Sequence, residues 1–251
     1  MLRIRLWSLT LRASWRMAAL TLFGVVLFAQ LGRWQWHRAE LKRANAAAFV
    51  AGTAEVTPLG SRATTALARY AQVRVSGRYN GEHQFLLDNI THGGAPGYAV
   101  LTPLRLADGR TLLVDRGWVP LPQGRRDRLP DVALKLGAAA VEITGRLDAL
   151  PVAGLASGTV PPDTGPNWPK RTSFPTYQQL GLSLGSAKAL GLEQRQLLLS
   201  ADAPDGYVRD WQPVSSGFGP ERHISYAVQW WGLGALSLFL FLFLNVERRR
   251  T

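Results

Sequence analysis

The chain has no cysteine. Structural disulfides, thiolate zinc sites, iron–sulfur clusters and cysteine nucleophiles are therefore excluded. A thiol-free domain also suits an oxidising space. Acidic residues are scarce, 17 against 29 Lys and Arg, for a formal net charge of +12. That excess raises the question of nucleic acid. Yet the arginines are concentrated at the two ends and otherwise scattered. No RNP-like, helix-turn-helix or zinc-finger pattern organises a groove, so no nucleic-acid partner is expected. The usual enzyme signatures are missing too. There is no Gly-x-Ser-x-Gly elbow, and Gly93-Gly94-Ala95-Pro96-Gly97 lacks the Lys-Ser/Thr ending of a phosphate cradle. The chain is not expected to be an enzyme.

Basic ends flanking apolar runs instead point to a membrane. Residues 1–16 carry Arg3, Arg5, Arg12 and Arg16 with no acid. An apolar stretch follows, read as a transmembrane helix over 17–36. It exceeds a signal-peptide core of ~7–15 residues and leaves through Gln30-Leu31-Gly32-Arg33-Trp34-Gln35-Trp36, with no small-x-small site. Trp34 and Trp36 match an interfacial aromatic belt. A second apolar run over 223–246 is of the ~20-residue length that crosses a bilayer core, and a basic tail occupies 247–251. Lys and Arg are retained on the cytoplasmic side, so both termini are expected there, with residues 37–222 external.

The external segment reads as mostly antiparallel β with one or two helices, giving an integral membrane α+β fold class. A polar helical stretch from Ala39 to about Phe49 continues the first span outward. Strand patterns follow over 70–79, 84–89, 98–104, 111–120, 141–147 and 196–200, with Asp108-Gly109 as a hairpin turn. Residues 151–169 read as a long loop. Leu180, Leu184, Ala187 and Leu190 recur at helical spacing within 175–191. Asp115-Arg116-Gly117-Trp118 reads as a strand-end ion pair with a core Trp.

The membrane boundaries hold the candidate chemistry. Gln30, Trp34, His37 and Leu41 share one face of the first helix, and His223, Ala227, Trp230 and Gly234 share one of the second, with Tyr226 beside it. The second stripe suits an interfacial aromatic anchor with small residues for helix packing. A ligand site with an aromatic wall is the other reading of the same stripe. Pro220 and Glu221 fit a first helical turn, placing His223 near the positive end of the dipole. That position favours the neutral imidazole an iron needs. With no carboxylate/histidine cluster around it, any metal there is expected inside a cofactor.

These segments resemble the SURF1 (Shy1) family of cytochrome c oxidase assembly factors over nearly the whole chain. The resemblance is carried by Leu31-Gly32-Arg33-Trp34-Gln35-Trp36-His37-Arg38, Val73-Arg74-Val75-Ser76-Gly77-Arg78-Tyr79 and Leu113-Val114-Asp115-Arg116-Gly117-Trp118-Val119-Pro120. It continues in Gly206-Tyr207-Val208-Arg209-Asp210-Trp211 and His223-Ile224-Ser225-Tyr226-Ala227-Val228-Gln229-Trp230. Many relatives carry Asn-Asn where this chain has Glu221-Arg222. The resemblance implies a chaperone that transiently binds haem a and aids its insertion into oxidase subunit I. His223 is then the metal ligand, with Tyr226 and Trp230 against the porphyrin, Trp34 as the opposing wall and Arg38 as a propionate partner. It further implies a bacterial cytoplasmic (inner) membrane setting, membrane lipid as surroundings, and subunit I and haem A synthase as partners. The competing expectation is a non-haem scaffold that holds oxidase assembly intermediates through its β domain.

Overall fold

The structure, a computed structural model, describes residues 2–6, 9–52, 55–135, 137, 139–153, 158–185, 191–213 and 219–248; for 2–6, 9–12, 247 and 248 the backbone alone is described. The chain forms two compact units, Met1–Ala46 with Ser215–Thr251, and Ala47–Val214.

The first unit is built on two helices. α1 runs Trp15–Ala51, 37 residues in one piece, so the polar stretch after Ala39 does continue the apolar one. Ser14 opens it by accepting the Met17 N–H at 3.2 Å, which relieves one of the four free amides of a helix start. α3 runs Pro220–Asn245, with Pro220 and Glu221 in its first turn. Both helices are long and apolar enough to cross a membrane. The basic N-terminal segment is not featureless. β1 (Leu2–Leu6) and β2 (Leu9–Ala13) form an antiparallel hairpin with Arg3 opposite Arg12. β11 (Val246–Arg248) pairs with β2. The alternation Leu-Arg-Ile-Arg-Leu is a period-2 pattern, masked in the sequence by its charge.

The second unit contains a closed barrel. β4 (Gln72–Tyr79), β8 (Ala140–Asp148), β10 (Leu192–Leu199), β7 (Thr111–Pro120) and β6 (Ala95–Leu106) are neighbours in that order, and β6 pairs back onto β4. Only β10–β7 is parallel. In chain order the five strands run 1-2-3-5-4-1, an OB-type barrel topology. Closure removes the sheet edges that would otherwise template aggregation. The inward positions form one core: Val73, Val75 and Tyr79 from β4, Leu104 and Leu106 from β6, Leu112 and Val114 from β7, Ile143 and Leu147 from β8, and Leu197 and Leu199 from β10. Each buried aliphatic contributes about 1.5–3 kcal/mol relative to exposure.

Three further strands extend the sheet: β3 (Val56–Pro58) beside β4, and β5 (Phe85–His92) with β9 (Lys170–Thr172) beyond β6. β5 and β6 meet at Gly93-Gly94, both at positive φ, so the glycine cluster is a hairpin turn. A second core, including Phe85, Leu101, Leu113, Leu180 and Leu192, lies where α2 (Tyr177–Ser183) covers the outside of the barrel. Thr176 and Gln179 close a capping box at its start. α2 is shorter than the spacing suggested, because Gly185 at φ 99° follows the C-cap Leu184 and a left-handed glycine ends a helix. Leu180 and Leu184 are buried as expected, while Ala187 and Leu190 lie outside the described residues.

Candidate functional site

On α3, His223, Ala227, Trp230 and Gly234 fall on one stripe, and that stripe faces α1. Ala227 is fully buried. Trp230 stacks on Phe28, with centroids 5.8 Å apart and planes 21° from parallel. Gly234 lies against the Phe28 Cβ, and Trp231 donates to the Ala29 carbonyl at 3.4 Å. Opposite Trp231 is Gly32, where a Cβ would come within 2.3 Å of the indole. Only a glycine lets that ring lie against the helix backbone. Farther up, Arg43 and Glu221 form an exposed ion pair at 3.2 Å, of the kind worth about 0–1 kcal/mol.

His223 sits at the open end of this seam. Its Nδ1 is 2.7 Å from the Gln35 side-chain oxygen. An amide oxygen can only accept, so Nδ1 carries the proton and donates. In the neutral ring this leaves the Nε2 lone pair free, so Nε2 is the nitrogen that could ligate a metal. A hydrogen bond to the other ring nitrogen is how metal-binding histidines are commonly oriented. Lys42 and Arg38 are the cations close enough to act on His223. The local field therefore favours an anionic group beside the imidazole.

The other sequence-derived residues divide into two sets. Trp230 is in the seam, one face committed to Phe28. Tyr226, Trp34 and Arg38 are exposed, and Trp34 has no stacking partner among the described residues. The α1 face holding Gln30, Trp34, His37 and Leu41 is solvent-facing in this unit. α1 meets α3 instead through Phe28, Gly32, Gln35 and the buried Ala39. Gln35 is the residue that sequence reasoning missed. It stood inside the Leu31–Arg38 motif, but a glutamine's partner is not visible in spacing. Among the described residues no group of three His, Cys, Asp or Glu side chains gathers.

The Asp115–Arg116 pair does not form the expected strand-end ion pair, because neighbours on a strand face opposite sides. Arg116 points inward, fully buried. It donates from Nη1 to the Gln84 side chain at 2.8 Å and the Val132 carbonyl at 2.9 Å, and from Nε to the Asp205 carbonyl at 2.7 Å. Asp115 turns outward and accepts the Gly117 N–H at 3.0 Å. Burial pushes its carboxyl up to about 7, while that hydrogen bond pulls the other way. Trp118 is only partly buried; it bonds the Ile90 carbonyl at 3.2 Å and tilts over His92. Arg116 alone of the three is committed inside the barrel.

A family model described as the SURF1 family matches residues 22–235, most of the chain. No curated protein matches it.

Proposed function

Because the chain belongs to the SURF1 family, whose role lies in cytochrome c oxidase assembly, we propose that it is a membrane-anchored factor that binds haem a at His223. In this reading α1 and α3 cross the bacterial inner membrane with both termini cytoplasmic and the β unit periplasmic. The observation that carries it is the Gln35–His223 hydrogen bond, which leaves Nε2 free at one end of the helix pair. Haem a is the cargo; its iron would take the imidazole as an axial ligand.

The residues present suit that cargo on one side of the pair only. The α1–α3 seam is closed by Gly32 against Trp231 and by Trp230 against Phe28, so a flat macrocycle has no room within it. Tyr226 and Trp34, both exposed, are the rings free to pack against a porphyrin on the flank. Arg38 and Lys42, within electrostatic reach of His223, suit carboxylates such as the propionates. Trp230 then supports the wall from behind. Haem A synthase would supply the cargo and oxidase subunit I would receive it.

The test is the visible spectrum of the full-length protein purified after coexpression with haem A synthesis. Haem should co-purify with the wild type and be lost in His223→Ala; unchanged occupancy in that variant would overturn the ligand assignment. Gln35→Leu should weaken retention by about 10–100-fold, the usual cost of losing a partner that orients a ligand.

The self-contained cores of Ala47–Val214 favour a second reading, a scaffold that holds oxidase intermediates without haem. It predicts that His223→Ala assembles oxidase normally and that this unit alone co-purifies with subunit I.

A further inference from the structure

Arginines in the β unit are almost all committed. Of the fourteen in Ala47–Val214, twelve have a partner. Some are ion-paired, as Arg69 with Asp148, Arg74 with Glu142, Arg110 with Glu193 and Arg126 with Asp88. Others bond carbonyls or amides, such as Arg62, Arg116, Arg128, Arg171, Arg195 and Arg209. Arg125 pairs with Asp127 and Arg146 lies over the Phe49 ring. The two without a hydrogen bond, ion pair or ring contact among the described residues are Arg78 and Arg105.

These two stand directly opposite each other on β4 and β6, at the seam that closes the barrel. Like charges in directly opposed cross-strand positions destabilise a sheet. No carboxylate compensates them. Glu142 serves Arg74 and Ser76, and Asp108 serves Arg110. The residues of this unit outside the described set include no Asp or Glu. Both side chains are exposed, and together they wall two adjoining hollows. One, of about 260 Å³, is completed by the largely buried Tyr79 and by Asn80, Pro103, Thr111 and Leu184. The other, of about 350 Å³, is completed by Leu106, Ala107 and Ala140. The feature is a positive bar across a largely aliphatic trough.

We infer that Arg78 and Arg105 clamp a carboxylate from an acidic segment of a partner protein, with aliphatic side chains of that segment filling the hollows on either side. Two guanidinium groups converging on one carboxylate give short, charge-assisted hydrogen bonds and remove the repulsion of the empty pair. In an extended segment, side chains two residues apart point the same way, about 6.6–6.8 Å from each other. The matching pattern is therefore aliphatic-x-acid-x-aliphatic. Nucleic acid does not suit the trough, because its walls carry no exposed ring on which bases could stack. The inference rests on the β unit alone and stands or falls separately from the haem reading.

The experiment uses the full chain in phosphatidylcholine nanodiscs and the peptide acetyl-Leu-Ser-Glu-Ser-Leu, carrying a neutral fluorophore, followed by anisotropy. The Glu peptide should bind at least tenfold more tightly than its Gln counterpart, and Arg78→Gln with Arg105→Gln together should abolish that preference. The melting temperature of the double variant should hold or rise, since a repulsive pair is removed; a purely structural pair would lower it. The inference is overturned by equal affinity for the Glu and Gln peptides, or by a preference that survives in the double variant. Displacement of the peptide by phosphatidylglycerol vesicles or by oligo-dT would overturn it as well, as would no binding up to about 1 mM, a standard free energy of only about −4 kcal/mol.

Discussion

A buried carboxyl whose affinity for protons has risen makes stability depend on pH in a known direction. Asp115 is held at about 7 in the fold by burial, against about 3.9 in an unfolded chain. Between those values the native state binds more protons than the unfolded state. Its contribution is therefore fully present below about 4 and is lost as pH rises through 7. Asp115→Asn keeps an oxygen for the Gly117 N–H but removes the titration. The wild type should melt at a lower temperature at pH 8 than at pH 5. In the variant that difference should shrink, and its stability at pH 8 should exceed the wild type's by up to about 4 kcal/mol. Thermal unfolding followed by tryptophan fluorescence at the two pH values measures both. An Asn variant with the same pH slope as the wild type would assign the slope to other groups. Arg116, one residue along, follows the opposite logic. Its charge is met by fixed carbonyls and the Gln84 side chain, so Arg116→Met strands those acceptors in the barrel, at a cost of about 3 kcal/mol or more.

At the level of elements, the α1–α3 seam is the contact on which the functional reading depends, and the chain's lack of cysteine makes it testable. A Cβ on Gly234 would lie 3.4 Å from the Cβ of Phe28, close to the ~3.5–4.5 Å spacing of a disulfide. Phe28→Cys with Gly234→Cys should cross-link under mild oxidation, with no native thiol to compete. Adding Gly32→Leu should cut the yield several-fold, because the new side chain would occupy the Trp231 ring's place. A yield indifferent to residue 32 would refute the seam. Elements of this kind were legible in the sequence to very different degrees. The two long helices, β4, β7 and β8 follow from apolar runs and alternation that the chain states locally. The α3 stripe was legible as well, since one face of His223, Ala227, Trp230 and Gly234 does meet α1. Its partner face on α1 was not, because Gln30, Trp34, His37 and Leu41 share a spacing equally well, and spacing does not say which face another helix chooses. The three-residue strands β3 and β9 carry too little pattern to register. Helix α2 ends at Ser183, two residues before Gly185, a signal present in the sequence but outvoted by the leucine spacing beyond it.

At the scale of the whole chain, barrel closure was the least legible feature. Pairing β6 onto β4 joins residues 77–79 to 104–106, and no local pattern announces a contact that depends on the curvature of every strand between. Closure explains why Ala47–Val214 holds a complete apolar core of its own. Expressed alone, that unit should unfold cooperatively, and far-UV and near-UV circular dichroism should give one midpoint. The fold itself does not name an activity, since one barrel architecture hosts many functions. If both helices span a membrane as proposed, their orientation decides whether His223 can meet haem a on the external side. Seven arginines (Arg3, Arg5, Arg12, Arg16, Arg248, Arg249 and Arg250) lie before the first apolar run or after the second, against Arg33, Arg38, Lys42, Arg43 and Arg222 on the inner flanks, and loops richer in Lys and Arg stay cytoplasmic. Single cysteines at Glu82, exposed in the β unit, and at Arg249 in the tail should separate the sides. A membrane-impermeant maleimide should label Glu82→Cys in spheroplasts and Arg249→Cys only after lysis. The reverse pattern would place His223 at the cytoplasmic boundary and remove the proposed route by which haem a reaches it from outside.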